Sequence, residues 1–468
     1  MLTAPRARCA ALTLALACAT WTTQRQPSAP PSLVIRNIGV VRAERPEVSL
    51  ADVAVRDGRI VYVGPTAGLP ALPDAQAIDG TGRFLVPGLI DMHTHVSKTR
   101  GSSLGLLVAH GVTTVRDMGG DHAELLRWRQ EIVAGQRLGP RLVIAGPYLE
   151  SAKNAARQHG TPPQEMIEPV ERTRIGVGTP ADADRIIAQI AARGVDHLKI
   201  RTVEDRTTYL AIGAAARRHG LALTGHFQPL PFDDFFASGQ RSIEHAFVPS
   251  LQERPAAERS AFIGRVARER IALVPTLVVL ENLGGPDDAS LKAGVEAVEK
   301  SGRRLLSAYL RAEWREQLAE QGADRRKVYG ELHQSARRDF AEMRAAGVRI
   351  LAGTDIGVLN IVPGRSLHDE LALLVRDIGM TPHEALLAAT VHAAAVMGLD
   401  RELGSIATGR QADMILLDAN PLDDIGHISR ISGVVLRGRY FDRTGLDKVL
   451  DDVAASPDVA ANDWPRKK

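Results

Sequence analysis

Two histidines one residue apart, at the end of an apolar run, are the first residues in this sequence whose spacing suggests chemistry. The run LIDMHTHV, residues 89–96, contains His93 and His95, and residues i and i+2 of a β-strand point to the same side. Two charged imidazoles would repel each other there, whereas two neutral imidazoles can share a cation. The pair alone is equally consistent with ordinary surface or core histidines, so the rest of the chain has to decide.

Four more polar residues end short apolar runs in the same way. They are Lys199 late in VDHLKIR, His226 ending LALTGH, His245 ending RSIEH, and Asp355 ending RILAGTD. Each has a plain structural explanation: a histidine can be hydrogen-bonded in the core, an aspartate can cap a turn, and a lysine can extend outward. Six such residues at matching ends of alternating units nevertheless indicate one shared site.

The runs that carry these residues alternate with helical patterns. About eight short apolar runs and intervening helices predict an α/β fold with a (β/α)₈ TIM-like barrel over residues 87–399. In such a barrel the chemistry lies at the C-terminal ends of the strands, where the six residues are expected to meet. A charged helical insertion at about 281–338 either caps the site or forms a long solvated hairpin.

Strand patterns at both ends of the chain bracket this barrel. Residues 53–64, VAVRDGRIVYVG, alternate around Asp57-Gly58, a hairpin turn signal. Residues 32–86 and 400–446 are therefore predicted to pair into one small β-sandwich domain built from both ends of the chain, and residues 447–468 are predicted to be a C-terminal tail.

Composition limits the classes of function. Hydrophobic residues make up 44% and charged residues 24% of the 468 residues, which is typical of a soluble globular enzyme. A net charge of +3 and an aromatic content of 4% argue against nucleic acid as a partner. The 2 cysteines, Cys9 and Cys18, lie near the N-terminus, so a metal in the folded part must be held by His, Asp, Glu or a less usual ligand.

The first 31 residues are predicted to be a signal peptide and tether. Arg6 and Arg8 precede an apolar run of roughly ten residues, which matches a secretory signal and is too short to span a membrane. Two processing routes are open: cleavage within Ala17-Cys18-Ala19, or a lipidated Cys18 that would be the protein's only membrane contact. The mature protein is expected to be secreted or periplasmic.

Together these motifs resemble the amidohydrolase superfamily, in particular its imidazolonepropionase-like and Xaa-Pro dipeptidase-like branch, which includes ochratoxin-degrading amidohydrolases. The resemblance covers nearly all of the mature chain. It rests on VPGLIDMHTH, GVTTVRDMGG, DHLKI, TGH, SIEH, AGTD, GMTPHEALLAATVHAAAVMGL and ELGSIATGRQADMILLDANPL. The chain departs from the branch in two places: His392 stands where relatives often carry Asn, and TGHFQPLP lacks the small residues that dipeptidase-like members often have.

The resemblance implies a role for each of the six residues. His93 and His95 would bind one metal, and His226 and His245 a second. Lys199 would be carbamylated by CO₂ and bridge the two metals. Asp355 would bind the first metal and transfer the proton of the attacking water. The resemblance thus implies a metal-dependent amidohydrolase that cleaves an amide or peptide C–N bond with a metal-bridging hydroxide.

The ligand types favour two Zn²⁺ ions, with Mn²⁺ or Co²⁺ as alternatives. The expected substrate is a small amide or dipeptide, and Tyr148 and Arg116 are candidates for holding its carboxylate. Arg116 has another candidate role, pairing with Asp117 or Asp121. Two other functions stay open at this point: a mononuclear hydrolase of cyclic amides or imidazolones, and a non-catalytic envelope binding protein. Homo-oligomerisation is compatible with each.

Overall fold

A computed structural model of the chain describes residues 31–159, 173–245, 251–285, 305–320 and 322–460. The predicted signal peptide, the tether up to residue 30 and the lipid-anchor candidate Cys18 lie outside the described residues. In chain order the strands are β1 (Leu33–Val41), β2 (Val48–Arg56), β3 (Arg59–Gly64), β4 (Gln76–Asp79), β5 (Phe84–Pro87), β6 (Leu89–Thr94), β7 (Val112–Asp117), β8 (Arg141–Ile144), β9 (Tyr148–Ser151), β10 (Arg174–Val177), β11 (His197–Ile200), β12 (Ala222–Gly225), β13 (Ser242–Glu244), β14 (Ala272–Val274), β15 (Arg349–Ile350), β16 (Met414–Leu417), β17 (Ile431–Leu436) and β18 (Arg439–Asp442).

Helices fill most of the sequence between the parallel strands. They are α1 (Val96–Thr99), α2 (Ser103–Ala109), α3 (His122–Val133), α4 (Ala152–His159), α5 (Pro180–Ala192), α6 (Arg206–Arg218), α7 (Phe232–Ser238), α8 (Ala256–Arg268), α9 (Leu277–Gly284), α10 (Ala308–Ala319), α11 (Ala323–Ala345), α12 (Arg365–Ile378), α13 (Pro382–Ala388), α14 (Val391–Val396), α15 (Arg443–Ala455) and α16 (Pro457–Ala460), with 3₁₀ turns at Thr66–Gly68, Leu251–Glu253 and Ile425–Ser429. In the part of the chain that the structure describes, none of these helices has the length and apolar character needed to cross a membrane.

The two ends of the chain meet in one mixed sheet, of order β18-β17-β16-β5-β1-β2-β3, with β4 paired to β1. The predicted hairpin is present between β2 and β3, where Asp57 and Gly58 both have positive φ, 53° and 74°. A bulge between Ile35 and Ile38 shifts the register of β1, so its first half pairs with β4 and its second half with β5. All eight strands thus belong to one continuous hydrogen-bonded sheet. The predicted sandwich of two sheets is not confirmed.

The middle of the chain is an α/β structure with parallel strands, as predicted. Its strands form three sheets, β6-β7-β8, β10-β9-β11-β12 and β13-β14-β15, rather than the single closed sheet predicted for the barrel. The strands are short, and β15, the strand that precedes Asp355, has only 2 residues. Single backbone hydrogen bonds cross between the sheets, from Asp196 N to Ile144 O at 2.8 Å, Arg241 N to Leu223 O at 2.7 Å and Met92 N to Ala352 O at 3.0 Å.

One described helix of the insertion, α10, is packed rather than solvated, whereas residues 323–335 of α11 are intermediate or exposed. Helix α10 buries Leu310 and Trp314, at 1% and 0% exposure. Gln317, near its end, accepts a hydrogen bond at 2.8 Å from the backbone N–H of Leu359, in the loop that follows Asp355. Of the two readings left open by the sequence, the solvated hairpin is therefore wrong for α10, which braces the loop behind the candidate site.

The predicted C-terminal tail is also structured where it is described. Helices α15 and α16 cover residues 443–460 and bury Val449, Val453 and Val459. A methyl group on Gly105 of α2 would lie 2.9 Å from Val453, so α2 and α15 pack closely. Residues 461–468 of the predicted tail lie outside the described residues.

We expect Leu310→Ala to lower the free energy of unfolding by about 2–5 kcal/mol, because it empties a fully buried site in α10. Urea unfolding followed by circular dichroism measures this change. The control is Val328→Ala on the neighbouring α11, where the side chain is 53% exposed and the cost should be near zero. Equal effects of the two variants would mean that α10 does not pack as described.

Candidate metal centre

His93 and His95 lie at the end of β6, held by a buried carboxylate beneath them. Asp91 accepts hydrogen bonds from the backbone N–H groups of His93 and Thr354, both at 3.1 Å, and from the Thr354 hydroxyl at 2.6 Å. Burial raises the pKa of Asp91 to about 7. Asp91 thereby ties the end of β6 to the segment that carries Asp355.

Asp355 lies between three imidazoles, two at the end of β6 and one at the end of β13. Its Oδ1 is 3.2 Å from His95 Nε2 and 3.6 Å from His93 Nε2, and its Oδ2 is 3.8 Å from His245 Nε2. His93, His95 and Asp355 each offer a ligand atom within 4.8 Å of the others. These three side chains therefore form a compact group that can hold a metal ion.

The remaining predicted ligands extend this group to one side. The ring centroids of His93 and His245 are 4.4 Å apart, and those of His245 and His226 are 5.2 Å apart. Lys199 is 1% exposed, and its ammonium charge contributes to lowering the pKa of both His93 and His226. All six residues predicted from the sequence thus lie in one cluster.

The hydrogen bonds of the Nδ1 atoms turn three Nε2 atoms toward Asp355. His93 Nδ1 is 2.8 Å from Glu244 Oε2, His95 Nδ1 is 2.7 Å from the Gly119 carbonyl, and His245 Nδ1 is 2.8 Å from the Thr276 hydroxyl. A metal-binding histidine usually has its other nitrogen held in this way. Within the described residues, the buried His93 Nε2 has no hydrogen-bond partner of its own.

The protonation states also suit a cation. Burial and the Lys98 charge lower the pKa of His95 to about 4, and burial lowers that of His245 to about 4. Burial and the Lys199 charge hold the pKa of His93 and of His226 well below the usual range. Neutral imidazoles and a carboxylate are ligands for Zn²⁺ and related divalent ions, so the residues present fit the metal that the sequence implies.

Lys199 is buried in surroundings that favour the neutral form of its amine. Its Nζ is buried and has no hydrogen-bond partner among the described residues. Burial lowers the pKa of Lys199 to about 8. A substantial fraction of the side chain is therefore a neutral amine near pH 8, the form that can add CO₂.

Three residues that follow strands β13, β14 and β15 have unusual backbone conformations. His245 has φ 67° and Asp355 has φ 57°, and Thr276, the partner of His245, has φ 47°. Left-handed conformations cost non-glycine residues about 1–3 kcal/mol each and persist where the surroundings enforce them. Here the turn redirects His245 to the same side as Glu244, although consecutive strand residues would face opposite sides.

Glu244 is a residue of the site that sequence reasoning missed. Regular strand alternation would turn Glu244 away from the side that His245 faces, but Glu244 is 0% exposed and contacts His93. Its other oxygen lies 2.7 Å from Arg116 Nη2. The polar pattern Ser242-x-Glu244 along β13 is the sequence signal that could have placed it inside.

Arg116 therefore has a different role from the one predicted. It is 2% exposed, pairs with Glu244 and donates from Nε to the Met92 carbonyl at 2.8 Å. These contacts replace the alternative pairing with Asp117 or Asp121, and they do not support a role in holding a substrate carboxylate. Arg116 instead fixes the carboxylate that orients His93.

Tyr148 does lie at the site. Its hydroxyl is 3.3 Å from His95 Nδ1, and its ring meets the His95 ring edge-on at 5.5 Å. Three cationic side chains lie nearby: two beside the Tyr148 ring and one just after β11. Lys98 Nζ is 5.9 Å from the Tyr148 ring centroid, the Arg174 guanidinium is 5.2 Å from it, and Arg201 lies two residues after Lys199, directly after the end of β11.

These three cations form a group that we call the rim cations, Lys98, Arg174 and Arg201. Arg174 also pairs with the buried Glu150 at 3.2 Å, and the charge of Arg201 helps to lower the pKa of His226. Sequence reasoning missed all three, although the i+2 spacing of Arg201 from Lys199 would place both on one side of β11.

The chain matches known proteins both in sequence and in structure. Residues 84–440 match the model of the amidohydrolase family. The imidazolonepropionase of Acidiphilium cryptum (strain JF-5) is 29% identical over 407 residues, which cover 82% of this chain and 91% of the relative. The predicted resemblance is thus confirmed.

Two solved structures of similar extent are also related. The putative prolidase from Bifidobacterium longum superimposes with a TM-score of 0.67 at 26% identity, covering 91% of this chain and 100% of that one. The bottromycin amidohydrolase gives a TM-score of 0.69 at 25% identity, covering 94% of this chain and 96% of that one.

We expect Glu244→Gln to lower metal affinity by about 10–100-fold, because the amide is a weaker acceptor for His93 Nδ1 than the carboxylate. Competition with a chromophoric chelator measures the affinity. The exposed Glu253→Gln is the control. Unchanged affinity in Glu244→Gln would show that Glu244 does not support the metal ligand.

Stability separates this role from simple loss of the buried ion pair. Glu244→Gln leaves Arg116 without its carboxylate, so thermal unfolding should occur at lower temperature. Adding Arg116→Met removes the stranded charge and should recover part of the stability, while metal affinity stays low.

Proposed function

Because the chain belongs to the amidohydrolase family, we propose that it is a metal-dependent hydrolase that cleaves an amide or peptide C–N bond at the cluster around Asp355. The match to the amidohydrolase family and the similar imidazolonepropionase and prolidase both support hydrolysis of C–N bonds. The observation that carries the metal part of the proposal is the convergence of three Nε2 atoms on one carboxylate, each imidazole being held through its Nδ1.

In this proposal two cations share the cluster. His93, His95 and Asp355 would hold the first, His226 and His245 would hold the second, and Lys199, as a carbamate, would supply an anion to both. The buried, unpartnered amine of Lys199 supports the bridge, because a carbamate supplies an anion where a bare ammonium would be repelled. When bound, the cations, Zn²⁺ or else Mn²⁺ or Co²⁺, would activate a water and polarise the scissile carbonyl.

The protein groups then manage protons and orientation. Asp355, beside His95, takes a proton from the attacking water and delivers it to the leaving nitrogen as the C–N bond breaks. The Tyr148 hydroxyl, at the same end of the strands, is placed to donate a hydrogen bond to the substrate. The loop that carries Asp355 is held by Gln317 of α10, which keeps the carboxylate in place between its histidines.

We further propose that the three parallel sheets form one distorted (β/α)₈ barrel. Its strands would be β6, β7, β8, β11, β12, β13, β14 and β15, with β9 and β10 as an added pair. The single hydrogen bonds from Asp196, Arg241 and Met92 support this order, because each joins strands of neighbouring sheets.

The rim cations favour a substrate that carries a carboxylate, such as an N-acyl amino acid or a dipeptide. Lys98 of α1 and Arg174 at the start of β10 lie beside Tyr148, and the charge of Arg201, just after β11, acts on His226. Glu150 is already paired with Arg174 and Asn154. A fixed group of cations beside a reacting carbonyl attracts and orients an anionic substrate. This assignment replaces the predicted role of Arg116.

A mononuclear hydrolase of cyclic amides or imidazolones is the second candidate. It is favoured by the imidazolonepropionase relatives that cover most of the chain and by the compactness of the His93, His95 and Asp355 group. The two candidates differ in the need for Lys199.

We expect Lys199→Ala to lose one metal equivalent and to lower the rate of hydrolysis by a factor of a hundred or more, roughly the effect of losing a bridging anion worth about 3 kcal/mol. Metal content by mass spectrometry and a hydrolysis screen with N-acyl amino acids and dipeptides measure the two effects. A short carboxylic acid such as acetate should restore part of both, because it can replace the carbamate.

The exposed Lys153→Ala serves as the matched control. Carbon-13 bicarbonate should also give a carbamate signal in the parent protein that is absent in Lys199→Ala. Retention of metal and activity in Lys199→Ala would favour the mononuclear candidate. Full activity after complete chelation would exclude both candidates.

We expect Arg201→Gln to raise KM about tenfold or more for N-acyl amino acids, because it removes a charge-assisted contact to the carboxylate. The same variant should barely change KM for the matching amino-acid amides, which lack that charge. Steady-state kinetics with each acid and amide pair measures the difference, and the exposed Arg193→Gln is the control. A parallel change for acids and amides would contradict a carboxylate-binding role.

A further inference from the structure

Helix α9 begins directly after Thr276, the residue whose hydroxyl lies 2.8 Å from His245 Nδ1. A threonine in this position normally turns its hydroxyl to the free backbone N–H groups of the first helical turn. Among the described residues Thr276 makes no such capping hydrogen bond, and its hydroxyl contacts His245 instead. The N–H groups at the start of α9 therefore need an acceptor from another part of the chain.

That acceptor is Glu370, which lies on α12. Its Oε2 accepts a hydrogen bond at 2.8 Å from the backbone N–H of Val278, and the N–H of Leu277 also interacts with the carboxyl group. Glu370 and Leu277 are 0% exposed, and Val278 is 3% exposed. A side chain of one helix thus caps the first turn of another helix inside the protein, and this cap begins at the residue that follows Thr276.

The backbone of Thr276 requires such support. Its φ and ψ are 47° and 49°, in the left-handed region, which is a rare conformation for a β-branched residue. A residue in this region costs about 1–3 kcal/mol and persists where its surroundings enforce the conformation. On one side the backbone N–H of His245 donates to the Val274 carbonyl at 2.8 Å, and on the other side Glu370 holds the residues that follow.

Stability alone does not explain a carboxyl group at this place. The second oxygen of Glu370, Oε1, is buried and has no hydrogen-bond partner in the part of the chain that the structure describes. Burial also raises the pKa of Glu370 to about 8. A buried polar atom that is left unpaired costs about 1–3 kcal/mol. One oxygen therefore lowers the stability of the protein, whereas the other oxygen fixes the start of α9.

We infer that Glu370 is a positioning residue for His245, acting through the start of α9 and the Thr276 hydroxyl. By capping α9, Glu370 keeps Thr276 in the conformation that contacts His245 Nδ1. The opposite nitrogen, Nε2, then lies 3.8 Å from Asp355 Oδ2, on the side where the proposed second cation would bind. The inference rests on the proposed function for what His245 binds, but not for how its ring is oriented.

Glu370→Met removes both acceptor oxygens and fills the same space with an unbranched apolar chain. We expect this variant to bind the second metal ion about 10–100-fold more weakly, which is the usual effect of losing a group that orients a metal ligand. Glu370→Gln keeps an amide oxygen for the N–H groups of α9 and should retain most of the parent affinity. Competition with a chromophoric chelator measures these affinities.

Two further variants separate this role from a general loss of stability. Leu374→Ala empties a fully buried site one turn further along α12 and should lower the free energy of unfolding by about 2–5 kcal/mol, while metal affinity stays at the parent value. Thr276→Val removes the hydroxyl and should weaken metal binding as much as Glu370→Met does. The double variant should bind no more weakly than Thr276→Val alone, because both changes interrupt the same contact.

A measurement on metal-free protein tests the inference independently of the proposed hydrolysis. NMR of protein that contains nitrogen-15 histidine shows which ring nitrogen of His245 carries the hydrogen, and the signal is identified by its absence in His245→Gln. We expect one tautomer, with the hydrogen on Nδ1, in the parent protein and in Glu370→Gln. We expect a mixture of both tautomers in Glu370→Met and in Thr276→Val.

The inference is overturned if metal-free Glu370→Met keeps the parent tautomer of His245, if Leu374→Ala weakens metal binding to the same extent as Glu370→Met, or if Glu370→Gln is no better than Glu370→Met. A parent protein that binds a single metal ion would contradict the proposed pair of cations instead. In that case the tautomer of His245 in the metal-free variants still decides the role of Glu370.

Discussion

The candidate site depends on how the Nδ1 atoms of its histidines are held. Glu244, the Gly119 carbonyl and the Thr276 hydroxyl each occupy one Nδ1, so the opposite nitrogen of each ring is directed at Asp355. The other oxygen of Glu244 lies 2.7 Å from Arg116 Nη2, so the buried carboxylate that orients His93 has a cationic partner. A buried ion pair of this kind adds little to stability, and its value here lies in orienting a ring.

The strands and loops around the site also serve to position its polar groups. Strands are short, sheets are interrupted, and His245, Thr276 and Asp355 adopt left-handed backbone conformations. Each departure from regular geometry brings a polar group from a strand end into the cluster, and the strain is carried by neighbours such as Asp91, which is fully buried and bonded to two segments at once. The regular helices around the strands, many with capped N-termini such as the capping box of α5 at Thr179, supply the rigidity that this requires.

The sequence was a good guide to the residues at the strand ends and a poor one to what supports them. Period-two patterns and matching run ends located all six residues of the cluster, because strand direction alone determines where such residues meet. Strand alternation does not locate Glu244, because the backbone turns at His245. Arg116 was given the wrong role because its partner lies 128 positions away, and pairing at that range has no local signature. The single sheet at the chain ends and the packed α10 depend likewise on contacts between distant segments.

The sheet that joins both chain ends affects how the polypeptide reaches its native state. Strand β5 pairs with β1 on one side and with β16 on the other. Because β16 is synthesised more than three hundred residues after β5, one edge of β5 has no partner until then. Until then the nascent chain exposes an open β edge, a template for wrong pairing with other chains. Closing a loop of that length also slows folding. A protein organised in this way gains from a chaperone that shields its first strands until synthesis is complete.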